Sequence, residues 1–255
     1  MVLANIMRKV NYINKESMKS KIKTNKVLQA GMGYTIGNYL LKGINLITLP
    51  IFARLMNKTD YGLFNIYMSY EGIFVILIGV TLHSSLKSAR YEFKNEYRKY
   101  VSSIEIVPMI MLAVALLIVN LFSGSVTQVT GLNLLTLDLL MIHSYCSALL
   151  QFYNADLSID YKYTSFLKIA FFNTIANVLI SLILMTTVLS SKRYAARIAG
   201  CVVPLVLICI YILFKLFSSE KPKYNKTFWK FGVKYSCRLF HMDYLKLFFH
   251  SLIES

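Results

Sequence analysis

The sequence predicts an all-α, polytopic membrane protein with six spans. Three observations carry that expectation. Hydrophobic residues make up 56% of the chain and charged residues only 16%, less charge than a soluble domain of this size carries. The mean hydropathy is +0.53. The apolar residues gather into six runs, each long enough to cross a hydrocarbon core of about 30 Å as a helix.

Residues 1–28 form a polar head bearing Arg8, Lys9, Lys15, Lys19, Lys21, Lys23 and Lys26 against the acid Glu16. Its apolar stretches are too short for a signal-peptide core, so it reads as a retained, disordered cytoplasmic tail. The six spans are expected near 29–53, 61–82, 104–122, 133–153, 166–188 and 198–217, with residues 29–218 forming the transmembrane unit. Asn57, Lys58, Thr59 and Asp60 mark the first turn. A basic linker, 219–236, and a short tail, 237–255, follow the last span.

Alternate loops differ in charge. Lys87, Arg90, Lys94, Arg98 and Lys99 follow the second span, Lys162 and Lys168 flank the fifth, and the linker is basic. The opposite side holds only Arg54, Lys58, Lys192, Arg193 and Arg197. Lys and Arg are retained on the cytoplasmic side, which places both the head and the linker inside. The cluster from Lys192 to Arg197 is the one local exception. The net charge of +16 therefore belongs to membrane topology, and a nucleic-acid partner is not expected; membrane lipids are.

Polar residues inside the spans recur at helical spacing. Asn38, Lys42 and Asn45 share one face of the first span, because steps of four and three residues each nearly complete a turn. A lysine at mid-membrane costs on the order of 2.5–3.5 kcal/mol on insertion scales, so that face is expected to look into the bundle interior. Glu71, near the middle of the second span, is the expected partner of Lys42 on the adjacent helix. In the fourth span His143, Ser147, Gln151 and Asn154 form a second stripe, and Asn173, Asn177 and Ser181 a third in the fifth. Such groups either line a polar cavity or bond neighbouring helices; Ser147 and Ser181 fit the second role better. Arg90 is placed to meet a phosphate at the cytoplasmic leaflet or merely to hold its loop inside. Asp138 is expected at the outer interface, solvated, and Arg54 is expected to reach the outer headgroups.

Enzymatic chemistry finds no support. Glu71, Glu105 and Asp138 have no partner nearby in sequence, and no metalloprotease, phosphate-loop or nucleophile-elbow motif occurs. Cys146, Cys201, Cys209 and Cys237 form no ligand pair, and none of the four histidines has a Cys or second His at metal-binding spacing. No cofactor or metal is expected.

The run GNYLLKGINLITLPIFARLMNKTDYGLFNIYMS, with Leu41-Lys42-Gly43, Leu49-Pro50 and Ala53-Arg54-Leu55 before Tyr61-Gly62, resembles the opening of bacterial polysaccharide (O-antigen type) flippases of the multidrug/oligosaccharidyl-lipid/polysaccharide exporter superfamily. YKYTSFLKIAF (Tyr161 to Phe171) and RYAARIAG (Arg193 to Gly200) agree, the latter accounting for the charge exception. The resemblance covers roughly residues 29–236 and implies the six-helix N-terminal lobe of a two-lobed inner-membrane exporter. Its implied substrate is an undecaprenyl-diphosphate-linked oligosaccharide, with Lys42 and Arg90 meeting the diphosphate and the polar stripes meeting sugar hydroxyls. A second lobe, made separately, is an implied partner. Another exporter of the superfamily, such as a drug/cation antiporter or a lipid II flippase, and a non-transporting membrane protein are the alternative readings.

The resemblance also implies that Lys234-Tyr235-Ser236 continues with Leu-Pro and Ile-Pro-His, opening a seventh span. Here Cys237 follows instead. Moved back by one base, the tail's codons permit Leu-Ile-Pro-His-Gly, the step from Met242 to Asp243 being forced to Gly. The segment 237–255 is therefore expected to be a frameshift product and the chain a truncated, inactive half-transporter.

Overall fold

The computed structural model describes residues 2–187, 189 and 192–236, with side chains from residue 27 onward apart from Asn45. The expected frameshift tail lies outside the described residues. Helices α1 (Val2–Leu55), α2 (Lys58–Gly79), α3 (Leu86–Glu92), α4 (Tyr97–Ile104), α5 (Ile106–Leu121), α6 (Ser123–Thr130), α7 (Leu134–Ile159), α8 (Tyr163–Thr186) and α9 (Arg193–Ser219) are followed by α10 over 226–236. Among the described residues there is no strand, and six helical segments are long and apolar enough to span a membrane: Val27–Leu55, Lys58–Gly79, Lys94–Leu121, Leu134–Ile159, Tyr163–Thr186 and Arg193–Ser219. The all-helical, six-span expectation holds, with ends displaced by a few residues.

Three local departures have physical causes. The polar head is helical and continuous with the first span rather than a disordered arm; it contains neither Pro nor Gly before Gly31, so nothing interrupts propagation. The linker is not featureless: after Lys221 to Asn225 it forms α10, whose Phe228 and Phe231 pack on Phe93 and Tyr100 with centroids 4.8–6.0 Å apart. In the third span the hydrogen-bond ladder lapses at Glu105, whose backbone stays helical at φ −66° and ψ −17°. Pro108 lacks an N–H and its ring clashes with the carbonyl of the residue four before it, which is Ile104, so the ladder yields at Glu105 between α4 and α5.

Turn chemistry sets the ends of α2 and α7. Asn57 caps α2, its side-chain oxygen accepting from the Asp60 amide at 2.7 Å. Asn133 caps α7 in the same way from Thr136 at 2.8 Å. α2 ends where Val80 and Thr81 take left-handed backbone at φ 48° and 46°, unfavourable for β-branched residues. That turn reverses the chain into a 3-10 segment, Leu82–Ser85.

α7 is the axis of the lobe, packing against α2, α5, α8 and α9. Its buried Leu140, Met141 and Leu149 join Tyr67 of α2 and Ile208 and Ile212 of α9 in one core. α1 docks mainly on α8. Gly33 and Gly37 make that approach possible: a Cβ at either would stand 2.3 Å from Tyr163 or 1.9 Å from Leu167. α1 and α8 are the least enclosed of the six spans, a pair at the edge of the bundle.

Candidate functional site

α2, α5 and α7 enclose a cavity of 310 Å³ that reaches from mid-span to the turn after α2. Glu71 comes from the middle of α2, and its carboxyl hydrogen-bonds Ser147 on α7. Gln151, one turn further, lines the same space. At the other end lie Thr81 and His83, and Gly79 lets α2 press on α7 where a Cβ would meet Ala148 at 2.7 Å. From the break in the third span Glu105 enters the cavity wall, fully buried. Its Oε1 accepts from the Tyr145 hydroxyl at 3.4 Å, while Oε2 has no partner.

The structure divides the predicted stripes. Ser147 and Gln151 meet Glu71 in the cavity, but His143, on the same face, does not join them. Its ring is buried and stacked on Tyr67 at 5.7 Å, with Nδ1 3.1 Å from the Tyr67 hydroxyl. It joins two helices. Asn154 of α7 and Asn173 of α8 are half-buried, and the side-chain oxygen of each is enclosed without a partner. Glu71 does not pair with Lys42, because α1 leans on α8 whereas Glu71 points to α7. Among the described residues no ion pair joins them.

Asn177 has a partner the sequence did not suggest. Arg197, expected in an outer loop, lies one turn inside α9 and donates to Asn177 Oδ1 and, at 2.8 Å, to Ser181 Oγ. Its guanidinium also covers Phe52 of α1 at 4.0 Å and Phe64 of α2 at 5.3 Å. Arg193 donates to the Leu55 carbonyl. The charge exception therefore has a local cause: these two arginines close helix ends and tie four helices together. The available signal was an Asn177/Ser181 stripe with no partner of its own, opposite the arginines at the start of the next span. Beside Arg197 a groove of 220 Å³ is lined by Thr48, Phe52, Tyr61 and Asn65.

At the basic end Arg90 has partners within the lobe, with its side chain 42% exposed. It lies over the Tyr97 ring at 4.7 Å and 3.7 Å from Asp160. Arg98 bonds Asp156 at 2.7 Å and Asp160 at 3.0 Å, and the Tyr97 hydroxyl donates to Asp156 at 2.8 Å. The network fastens α3 and α4 to the end of α7. Burial alone would raise the Asp160 carboxyl's pKa. The hydrogen bond from Lys162 and the charges of Lys162, Arg98 and Arg90 outweigh it, holding the group below its usual 3.8. Burial holds His83 below its usual 6.5.

Both shifts are downward, so the unfolded chain binds these protons more readily. Their contribution to stability is whole above pH 6.5 and falls as His83 is forced to charge below that, then falls again beneath 3.8 for Asp160. Thermal melts of wild type and His83→Gln in detergent should differ by a step that appears on acidification below 6.5. Parallel curves across that window would refute the assignment.

The first-span stripe lies elsewhere than expected. Asn38 and Lys42 are exposed on α1 and do not face the interior of the lobe; the Asn45 side chain lies outside the described ones. At about 100° per residue, Asn38 and Lys42 sit roughly 100–140° to one side of Gly37, the residue that touches α8. The exposed Ile36 and Ile47 sit about 80–100° to the other side. α1 thus has a packed face, an apolar open face and a third open face on which Asn38 and Lys42 stand with the exposed Leu49.

A family model described as polysaccharide biosynthesis protein matches residues 27–253. Comparison with curated proteins and with solved structures gives no match.

Proposed function

Because the chain belongs to the polysaccharide biosynthesis protein family, we propose that it is one lobe of a flippase, moving undecaprenyl-diphosphate-linked oligosaccharide across a bacterial inner membrane with its basic end in the cytoplasm. The carrying observation is the three-faced α1. An exposed lysine at mid-membrane is costly against lipid, yet the same helix already offers lipid an apolar flank. The flank with Asn38 and Lys42 is then the wall of a cavity that a second lobe completes. A diphosphate crosses a low-dielectric region only where fixed cations and donors replace its water. Lys42 supplies charge, and Asn38 supplies a donor and an acceptor for sugar hydroxyls. Rocking of one lobe against the other would expose the cavity to each side in turn. Arg90 has no diphosphate role in this reading, since it stands in the α3–α7 network, and no bond-making chemistry is assigned.

The test is export of surface polysaccharide in cells relying on a two-lobed relative that carries the equivalent lysine. Lys42→Leu should lower export roughly 10- to 100-fold, matching the loss of one charged hydrogen bond of about 1.5–3 kcal/mol. Lys42→Arg should retain much of it. Unchanged export in the leucine variant would end the assignment.

A further inference from the structure

The most exceptional group in the lobe is not in the polar stripes. Glu105 is fully buried, carries an Oε2 with no partner, and lines the cavity shared with Glu71. It stands where the helical ladder of the third span lapses, because Pro108 disrupts the bond at Ile104. The Glu105 backbone stays helical at φ −66° and ψ −17°, but the ladder lapses there beside a cavity, and lapses of helical hydrogen bonding that border a cavity are where transporters hold ions.

Among the described residues no lysine or arginine pairs with Glu105. α2 contributes Glu71 and the following turn His83; α7 contributes Tyr145 and Cys146, and α9 contributes Cys209. An unpaired carboxylate in such surroundings is strongly disfavoured. A proton satisfies the site without further ligands. A metal ion would need more donors, and among the described residues no group of three acids, His or Cys converges.

We propose that Glu105 is a reversible proton-binding site, loaded and unloaded through the water-sized space that it shares with Glu71 and His83. Loading transfers a proton from hydronium in the cavity to the Glu105 carboxylate, forming one O–H bond and leaving water. Unloading returns the proton to cavity water or hydroxide and regenerates the carboxylate; no electrons change hands. The cavity extends from His83 at the basic end to Glu71 at mid-span, so a proton enters from the basic side and Glu71, bonded to Ser147, is the next carboxyl along. If the transport reading holds, this is the group through which a proton gradient acts on the lobe. The proton site itself does not depend on that reading.

Infrared difference spectroscopy of the full chain in lipid nanodiscs tests it. Wild type should show a protonated-carboxyl C=O component at neutral pH that fades reversibly on alkalinisation and shifts in D₂O. Glu105→Gln should remove it. Should that variant fail to fold, Tyr145→Phe, which takes away the Oε1 hydrogen bond, should move the component to higher frequency. A component absent from wild type, unchanged in Glu105→Gln, unmoved in Tyr145→Phe, or closed to D₂O overturns the proposal. So does one abolished by NaCl but not by choline chloride, which would assign the site to sodium. Export that survives Lys42→Leu, with this component intact, would overturn the flippase reading and leave the proton site standing.

Discussion

Gly200→Ala is expected to destabilise the lobe by about 1–3 kcal/mol, the usual range for overpacking, and to lower its melting temperature by roughly 2–12 °C. A Cβ at Gly200 would stand 2.0 Å from Ser181 Oγ and 2.8 and 2.9 Å from the Ser181 N and Cα. The latter two are backbone atoms, so no rotamer change relieves the contact and α8 must move away from α9. That motion also pulls Ser181 from Arg197, which donates to it at 2.8 Å. Gly43→Ala is the control: nothing lies within 4 Å of its missing Cβ, and replacing a mid-helix glycine adds about 0.5–1 kcal/mol. Melting in detergent should separate the two variants in opposite directions. An unchanged melt for Gly200→Ala would mean that the α8–α9 contact is looser than it appears.

Asp156→Ala is expected to cost about 1.5–3 kcal/mol, the range for hydrogen bonds to a charged group. The carboxylate, 3% exposed, accepts from the Tyr97 hydroxyl and from Arg98. Its loss leaves both donors without their partner at the end of α7. Arg98 is 37% exposed and keeps Asp160, so water and the second acid limit the damage. Limited proteolysis offers the sharper readout, because α3 and α4 should loosen before the bundle does. Cleavage in residues 86–104 should rise several-fold, and an unaltered digestion pattern would refute the network's role.

The spans were legible because length and hydropathy are local properties, and the caps Asn57 and Asn133 sit where the apolar runs begin. Helix partners were not local. Pairing Glu71 with Lys42 assumed that consecutive helices face each other through their charges, whereas Gly33 and Gly37 turn α1 toward α8. The Arg98–Asp156 bond joins residues 58 apart, and neither hydropathy nor spacing points from one to the other. Pro108 was the readable sign of the broken third span. With it, Glu105 would have stood out as an acid at a helix break and not as a solitary charge near an interface. Gln151 lines a cavity with Glu71, and so does Ser147, which was expected only to bond a neighbouring helix; period fixes which residues share a helix face, and His143 shows that it does not fix what the face meets.

The chain contains one tryptophan, and its position matters. Trp229 of α10 donates its indole N–H to the Ser103 carbonyl at 3.0 Å and rests edge-on against Tyr224 at 4.9 Å. Ser103 lies two residues before the interruption at Glu105. The indole is therefore an intrinsic fluorophore set at the joint between the linker helix and the broken span. Its emission, excited on the long-wavelength side of the tyrosine absorption, comes from a single site and changes with the seating of α10 on the residues leading into the break. Motion there is visible in unlabelled protein.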